Sequence, residues 1–381
     1  MKKVLIQALI ILIMGFIPFS VYAVEYAFTP INVPGASYNY ASGISGKNIV
    51  GEYEDTSNDW HGFLYNGKTC TSIDVSDALG TWAEGIYGKN IVGYYQDSSG
   101  NYHGFLYNGS TKTYTALDVP GAKETEAYGI SGKNIVGTYE DASNGWHGFL
   151  YNGKTYSTLD VPGAYLTVAY GISGKNIVGY YVDSGDNEHG FLYNGKTYTT
   201  LDVLGAEATW AWGISGTNIV GMYEDASNDW HGFLHNGKTY TTLDVPGAEE
   251  SEAYSISGRN IVGGYYADYD GTWNGFLATP TSDTSTPPTI VEFSVYSPST
   301  SLTVSITTFT AIDNVEITGY MVTTSSMAPS AKSSKWSATP PTSFTFPSTT
   351  KSGTKTLYAW AKDADGNVSK SFSAQVTLNL L

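Results

Sequence analysis

The chain has 381 residues, enough for two domains each with its own core, and its formal net charge of −16 argues against nucleic acid or an anionic membrane as a partner. A single cysteine, Cys70, excludes an intrachain disulfide. The 43 glycines, 31 tyrosines and only 14% charged residues are the composition of an exported β protein.

In chain order, Lys2 and Lys3 precede an apolar run over residues 4–19, and Val21-Tyr22-Ala23 supplies a small-residue cleavage site. Residues 1–23 are therefore predicted to be an export signal cut after Ala23, which implies a secreted, surface or periplasmic protein. No cysteine at that site would take a lipid, and no later stretch is long and apolar enough to span a bilayer.

The phrase GISGKNIVG at Gly43 returns at Gly85, Gly129, Gly171, Gly213 and Ser255, in steps of 42, 44, 42, 42 and 42 residues. Within one copy four short apolar runs, such as TTLDV, WGIS, NIVGMY and HGFLH, are separated by turn residues. A period near 42 with four strands per copy is that of a propeller blade, which cannot bury its own faces and must be stacked. Asn-Gly steps at Asn66, Asn108, Asn152, Asn194 and Asn236 suit hairpin turns with positive φ, and a two-residue insertion after Asn108 accounts for the single longer step. The last copy ends after Gly275-Phe276-Leu277 without its TTLDVPGA strand, while TPINVPGA at Thr29 stands before the first copy with Ile31 for Leu243 and Asn32 for Asp244. A ring closed by that N-terminal strand leaves no exposed edge. Residues 24–281 are thus predicted to form a six-bladed β-propeller in an all-β chain.

Residues 282–288 turn to Ser, Thr, Asp and Pro, a stiff linker. Residues 289–381 alternate apolar and polar positions in runs such as SLTVSITTF and KTLYAWAKD, the pattern of a small β-sandwich held by Trp336, Trp360, Tyr358 and aliphatic packing.

Two resemblances follow from these motifs. The copies over residues 28–277, with GIS, NIVG and HGFLY in fixed order, resemble the HAF family of extracellular repeats, a resemblance that brings no established activity. AIDNVEITGYMVT at Ala311 and LYAWAKDADGNVS at Leu357 resemble bacterial immunoglobulin-like or fibronectin-like domains.

His61, His103, His147, His189 and His231 recur one per copy beside an acidic turn, with Asn274 in the sixth. Such repetition points to a structural bond to the turn rather than to catalysis, which needs one asymmetric arrangement. His235, outside this column, reads as a surface substitution, and Cys70, in a tyrosine column, as a half-buried strand position. Ten of the eleven Lys and Arg between residues 24 and 280 sit in two turn types at one end of the blades. The opposite end carries acidic DxSND turns, Trp60, Tyr102, Trp146, Trp230 and Trp273 at their close, and the lead-in segments KETEAY, YLTVAY, EATWAW and EESEAY, where the copies differ most.

On that acidic and aromatic face the repeated rings read as wedges between blades, and the unrepeated Trp82, Glu124, Glu126, Trp210 and Trp212 are the candidate ligand-binding residues. Aromatic faces that stack on sugar rings, beside carboxylates that accept hydroxyl hydrogen bonds, suit a glycan. The expected function is a non-enzymatic binding or structural protein, monomeric, recognising a glycan or a cell-surface protein. The alternative is a polysaccharide hydrolase or lyase using Glu124 and Glu126, for which Lys123 is the one candidate cation. No cofactor is expected. Calcium is possible but no motif indicates it, because Asp268-Tyr269-Asp270-Gly271 and the Asp363, Asp365, Asn367 segment both read as turns. The expected result is a melting temperature unchanged by chelator; a drop on chelation would establish calcium as a structural ligand.

Overall fold

The computed structural model describes residues 25–267, 271–281, 287–313 and 317–380. The predicted export signal, Asp268 to Asp270 and most of the linker lie outside the described residues. The chain divides into two compact units, Tyr26–Pro280 and the C-terminal unit from Thr281.

The first unit is a six-bladed β-propeller. Each blade is a four-stranded antiparallel sheet, as in Glu124–Ser131, Asn134–Glu140, Trp146–Tyr151 and Tyr156–Leu159. In the sixth blade the outer strand is Tyr26–Ile31, paired antiparallel to Thr272–Pro280 with Ile31 opposite Gly275 and Thr29 opposite Leu277. That register matches the alignment of Ile31 with Leu243, whose N–H donates to Gly232 at 2.8 Å.

Six apolar clusters form the core, each joining one blade to the next. Val50 and Ile73 of the first blade pack with Ala83, Ile86, Ile91 and Phe105 of the second. At the closing seam Val262 of the sixth blade meets Ile31, Ala41, Ile44, Ile49 and Phe63. The phenylalanine of every HGF phrase is buried, so each blade contributes its largest apolar side chain to the layer it shares with a neighbour.

Hydrogen bonds at both ends of the inner strands fix blade to blade. The Ser45 hydroxyl accepts from the Gly88 N–H of the next blade's turn at 3.2 Å, and Ser131, Ser173 and Ser215 repeat the bond to Gly174, Gly216 and Gly258. Gly46 N–H to Ser257 at 3.2 Å completes the circle across the chain ends. Tyr87 stands where the second blade would have this serine. At the other end Asn39, in the column of Thr81, Thr125, Thr167 and Thr209, accepts from Gly275 N–H across the seam at 3.0 Å.

The Asn-Gly turns adopt positive φ at Gly67, Gly153, Gly195 and Gly237, but in the copy with the insertion Lys112 takes the left-handed position instead of Gly109. Extra chain lets the turn place its reversal three residues later. The lead-in segments also differ from expectation. They are not loops but the first half of the inner strands, as in Ala208–Ser215 and Glu250–Ser257. Alternate residues there are buried: Ala127, Ala169, Ala211 and Ala253 in one column, Thr125, Thr167, Thr209 and Ser251 in another.

The C-terminal unit is a β-sandwich of two three-stranded sheets, Thr289–Val295, Thr303–Ile312 and Ser343–Thr345 against Ile317–Thr323, Gly353–Asp363 and Phe372–Leu378. Its core centres on Phe293, Phe309, Phe346, Leu357 and Val376 rather than on the tryptophans. Trp360 is buried with its N–H on the Thr323 hydroxyl at 2.9 Å, whereas Trp336 and Tyr358 are half-buried. Both carboxylate oxygens of Asp363 accept from Asn367, one from its backbone N–H and one from its side-chain amide, each at 2.8 Å, which makes that segment a turn.

The glycine of each IVG phrase is required by close approach. A Cβ on Gly179 would lie 1.9 Å from the Val168 carbonyl oxygen and 2.8 Å from the Phe191 ring. Gly179→Ala is therefore expected to destabilise the propeller by about 3 kcal/mol, at the upper end for overpacking, because the obstacle is backbone. Urea denaturation followed by tryptophan fluorescence measures it.

Candidate functional site

Every inner strand carries a β-bulge, and it falls at the same place in each blade. Pairing skips one residue between Ala41 and Gly43, Ala83 and Gly85, Ala127 and Gly129, and at the equivalent points of the other three blades. A bulge turns its unpaired residue out of the pleat. The six residues so presented, Ser42, Glu84, Tyr128, Tyr170, Trp212 and Tyr254, all line one cavity of about 610 Å³ along the propeller axis. Each copy has a conserved frame around the bulge and a free choice at it.

Aromatic rings encircle this channel. Tyr128 lies 4.6 Å from Tyr170, Tyr170 5.6 Å from Trp212, and Trp212 4.6 Å from Tyr254 between ring centroids. The circuit continues through Tyr40, Trp60, Trp82 and Tyr94, at 6.3, 6.3, 6.3 and 5.1 Å in turn, and returns to Tyr128 at 6.1 Å. Such pairs stabilise by about 0.5–1.5 kcal/mol each beyond area burial, so the wall is rigid.

Four carboxylates are set among these rings. Glu52 accepts from the Ser42 hydroxyl at 2.7 Å, Glu126 from the Tyr128 hydroxyl and Glu252 from the Tyr254 hydroxyl. Glu84 lines the channel directly. Glu52, Glu84 and Glu252 line the channel and Glu126 stands behind Tyr128, and burial raises the pKa of all four: to about 8 for Glu52, to about 7 for Glu252, and upward for Glu84 and Glu126. For Glu84 the charges of Glu52 and Glu126 add to the effect of burial.

The five sequence candidates divide on this geometry. Trp212 lines the channel, and its indole N–H is buried without a hydrogen-bond partner among the described residues. Trp82 stacks on Tyr94, and Glu126 holds Tyr128. Trp210 packs on Tyr180 at 4.8 Å and Trp230 at 5.3 Å and donates its N–H to Glu188 at 2.7 Å, so its polar end is already used. Glu124 lies on the same strand face as Glu126, whose pKa its charge helps to raise, but it does not line the channel. It sits at the start of its strand opposite Glu140, and burial, then Glu140, raises its pKa. Glu52, Glu84 and Glu252 escape a reading that treats the lead-ins as loops. The signal for Glu84 and Glu252 is the T-x-A and S-x-A alternation ahead of Gly85-Ile86-Tyr87 and Ser255-Ile256-Ser257, which marks a strand with every other position free.

The repeated histidines are held in place between two aspartates. His147 Nδ1 lies 2.9 Å from Asp160 and its Nε2 3.5 Å from Asp141. The same triad occurs at His61, His103, His189 and His231. In each acidic turn the first aspartate also accepts two backbone N–H groups; Asp183 takes those of Gly185 and Asn187 at 2.7 and 3.0 Å, and these bonds together with the Asn187 amide hold its pKa down at about 2. Lys123 is bound at the turn, 3.5 Å from Glu140 and hydrogen-bonded to Asn144. His235 is half-buried on Tyr240, 4.4 Å between centroids, with burial lowering its pKa; it fills a tyrosine's place rather than lying on the surface. Cys70 is half-buried and its thiol pKa is raised by burial. The two lysine turns do meet at one end, where Gly109 N–H donates to the Lys89 carbonyl at 3.0 Å.

No family model matches the chain, and no curated protein matches it. Among solved structures it is similar to the fucose-specific lectin of Aleuria aurantia, described as a six-bladed β-propeller, at 14% identity over 68% of this chain and all of that one, TM-score 0.37. SapL1 lectin, solved with α-methyl fucoside, gives 14% identity over 68% of this chain and 98% of that one, TM-score 0.45. The β-propeller domain of the Trilobed protease from Pyrococcus furiosus gives 9% identity over 66% of this chain and all of that one, TM-score 0.41.

The raised carboxyls and the lowered aspartates act on stability in opposite pH ranges. A carboxyl that keeps its proton more tightly when folded stabilises fully below its ordinary value, near 4.5, and that contribution is lost as pH rises through about 7 for Glu252 and about 8 for Glu52. The Asp183 contribution is instead present above 3.8 and lost as pH falls through about 2. Melting temperature is expected to decline from pH 5 to pH 8, and Glu52→Gln to flatten that decline, as read by calorimetry across the range.

Proposed function

We propose that this chain is a non-enzymatic binding protein, exported by its N-terminal signal, whose propeller recognises a glycan at the channel and its aromatic end. The observation that carries the reading is the channel wall itself. Rings that offer apolar faces alternate with carboxylate and hydroxyl oxygens, and a buried Trp212 N–H lacks an acceptor. Sugars present both an apolar ring face and a fringe of hydroxyls, and such a wall answers both. A buried donor left unpaired costs about 1–3 kcal/mol, which a ligand oxygen would recover.

The absence of a catalytic role for the histidines belongs to this reading, since each is spent on bridging aspartates within its own blade. The same repeats support placing the propeller among HAF-type extracellular repeat proteins, and the sandwich among immunoglobulin-like modules that hold a binding domain away from a surface. The protein works as a monomer, without cofactor or nucleic acid.

A glycan array probed with the full chain is expected to show retention, lost in Trp212→Ala and reduced in Trp82→Ala, with circular dichroism confirming that both variants remain folded. Retention unchanged in both would overturn the proposal, and conversion of a retained glycan to shorter products would favour the hydrolase or lyase alternative.

A further inference from the structure

The channel has a charge problem that a neutral ligand does not solve. Glu52, Glu84 and Glu252 all line it, and no lysine, arginine or histidine is among its lining residues. An enclosed carboxylate without a partner cation is expensive, and these are close enough for Glu84 to be raised by Glu52 and by Glu126 behind it. Nothing in the fold demands acids there. At the bulge position the other five copies carry Ser42, Tyr128, Tyr170, Trp212 and Tyr254, and Glu84 alone is charged. The second observation is independent of charge: the same cavity is walled by π faces, with Tyr40, Tyr94, Tyr128, Tyr170, Trp212 and Tyr254 in its lining. Aromatic faces attract cations electrostatically, by about 0.5–2 kcal/mol per contact depending on desolvation. Hydroxyls are the third element: Ser45 and Ser173 are turned to neighbouring blades, while Ser42 and Tyr254 donate to Glu52 and Glu252, so each of those carboxylates is held in place with a second oxygen left for a cation.

We infer that the propeller channel is a binding site for an organic ammonium cation, its charge met by Glu84, Glu52 and Glu252 and its carbon skeleton by the surrounding tyrosine and tryptophan faces. The inference goes beyond glycan recognition, because either a free polyamine or an amino sugar presents this chemistry. Binding shifts the enclosed carboxyls toward their ionised form, so protons leave as the cation enters.

Isothermal titration of the full chain at pH 7, in two buffers of different ionisation enthalpy, separates the cases. The probes are spermidine, a glucosamine trimer with free amines, and the same trimer fully N-acetylated. Binding of spermidine or of the free-amine trimer, with a buffer-dependent heat showing proton release, is expected, and whichever binds more tightly identifies the source. Glu84→Gln keeps the shape and removes the charge; it should weaken binding about tenfold, the loss for one charge-assisted contact, without lowering the melting temperature. The inference is overturned if neither amine binds, if the N-acetylated trimer binds as tightly as the free-amine trimer, or if Glu84→Gln binds as the parent does. The glycan reading fails separately, on loss of all retention of neutral sugars.

Discussion

Closure of the ring is the constraint from which the rest of the propeller follows. A four-stranded blade has two faces to bury and two edges to hide, and only a closed circle of blades buries every face. Here the last sheet is completed by Tyr26–Ile31, so the circle is held by a six-residue antiparallel register between segments about 250 residues apart rather than by a covalent link. Everything at the seam is arranged for that join: Val262 packs against Ile31 and Phe63, Gly46 bonds to Ser257, and Asn39 reaches Gly275. With the circle closed, six inner strands are forced side by side around an axis, and their bulges have one place to point.

That geometry separates what the repeat must keep from what it may vary. Ala41 and its equivalents are buried because the neighbouring blade packs on them, and the IVG glycines because a carbonyl leaves no room for a Cβ. The bulge residue answers to neither demand. It faces the channel, and in six copies it takes Ser, Glu, Tyr, Tyr, Trp and Tyr. An asymmetric pocket thus arises inside a symmetric frame, which is how a repeat protein can acquire a specific site without losing its fold.

Much of this was legible in the sequence, and the parts that were not have a physical reason. Blade number, strand count and the closing strand follow from the 42-residue period and from TPINVPGA at Thr29, since edge pairing has one solution. The histidine column reads correctly as structural because a triad with Asp141 and Asp160 needs nothing beyond its own blade. The channel acids do not read, because Glu52 and Glu84, on strands Asn48–Asp55 and Gly80–Tyr87 of successive blades, are adjacent only after those blades are laid side by side. Trp82, Trp212 and Glu126 are singled out by their variation alone, which does not show that the two tryptophans belong to one circuit of rings. Glu124 varies equally and shares the strand face of Glu126 but lies one pleat further from the channel, so variation marks strand positions that are free, not which of them reach the axis.

The sixth copy differs from the other five in both members of one contact: Asn274 stands in the histidine column and Asn32 in that of its aspartate partner. Five blades therefore brace their third and fourth strands with a histidine held between two aspartates. The blade assembled from the two ends of the chain has amides in those places. The join that keeps the ring shut therefore does without the histidine brace and rests on backbone pairing and on the packing of Val262 against Ile31 and Phe63.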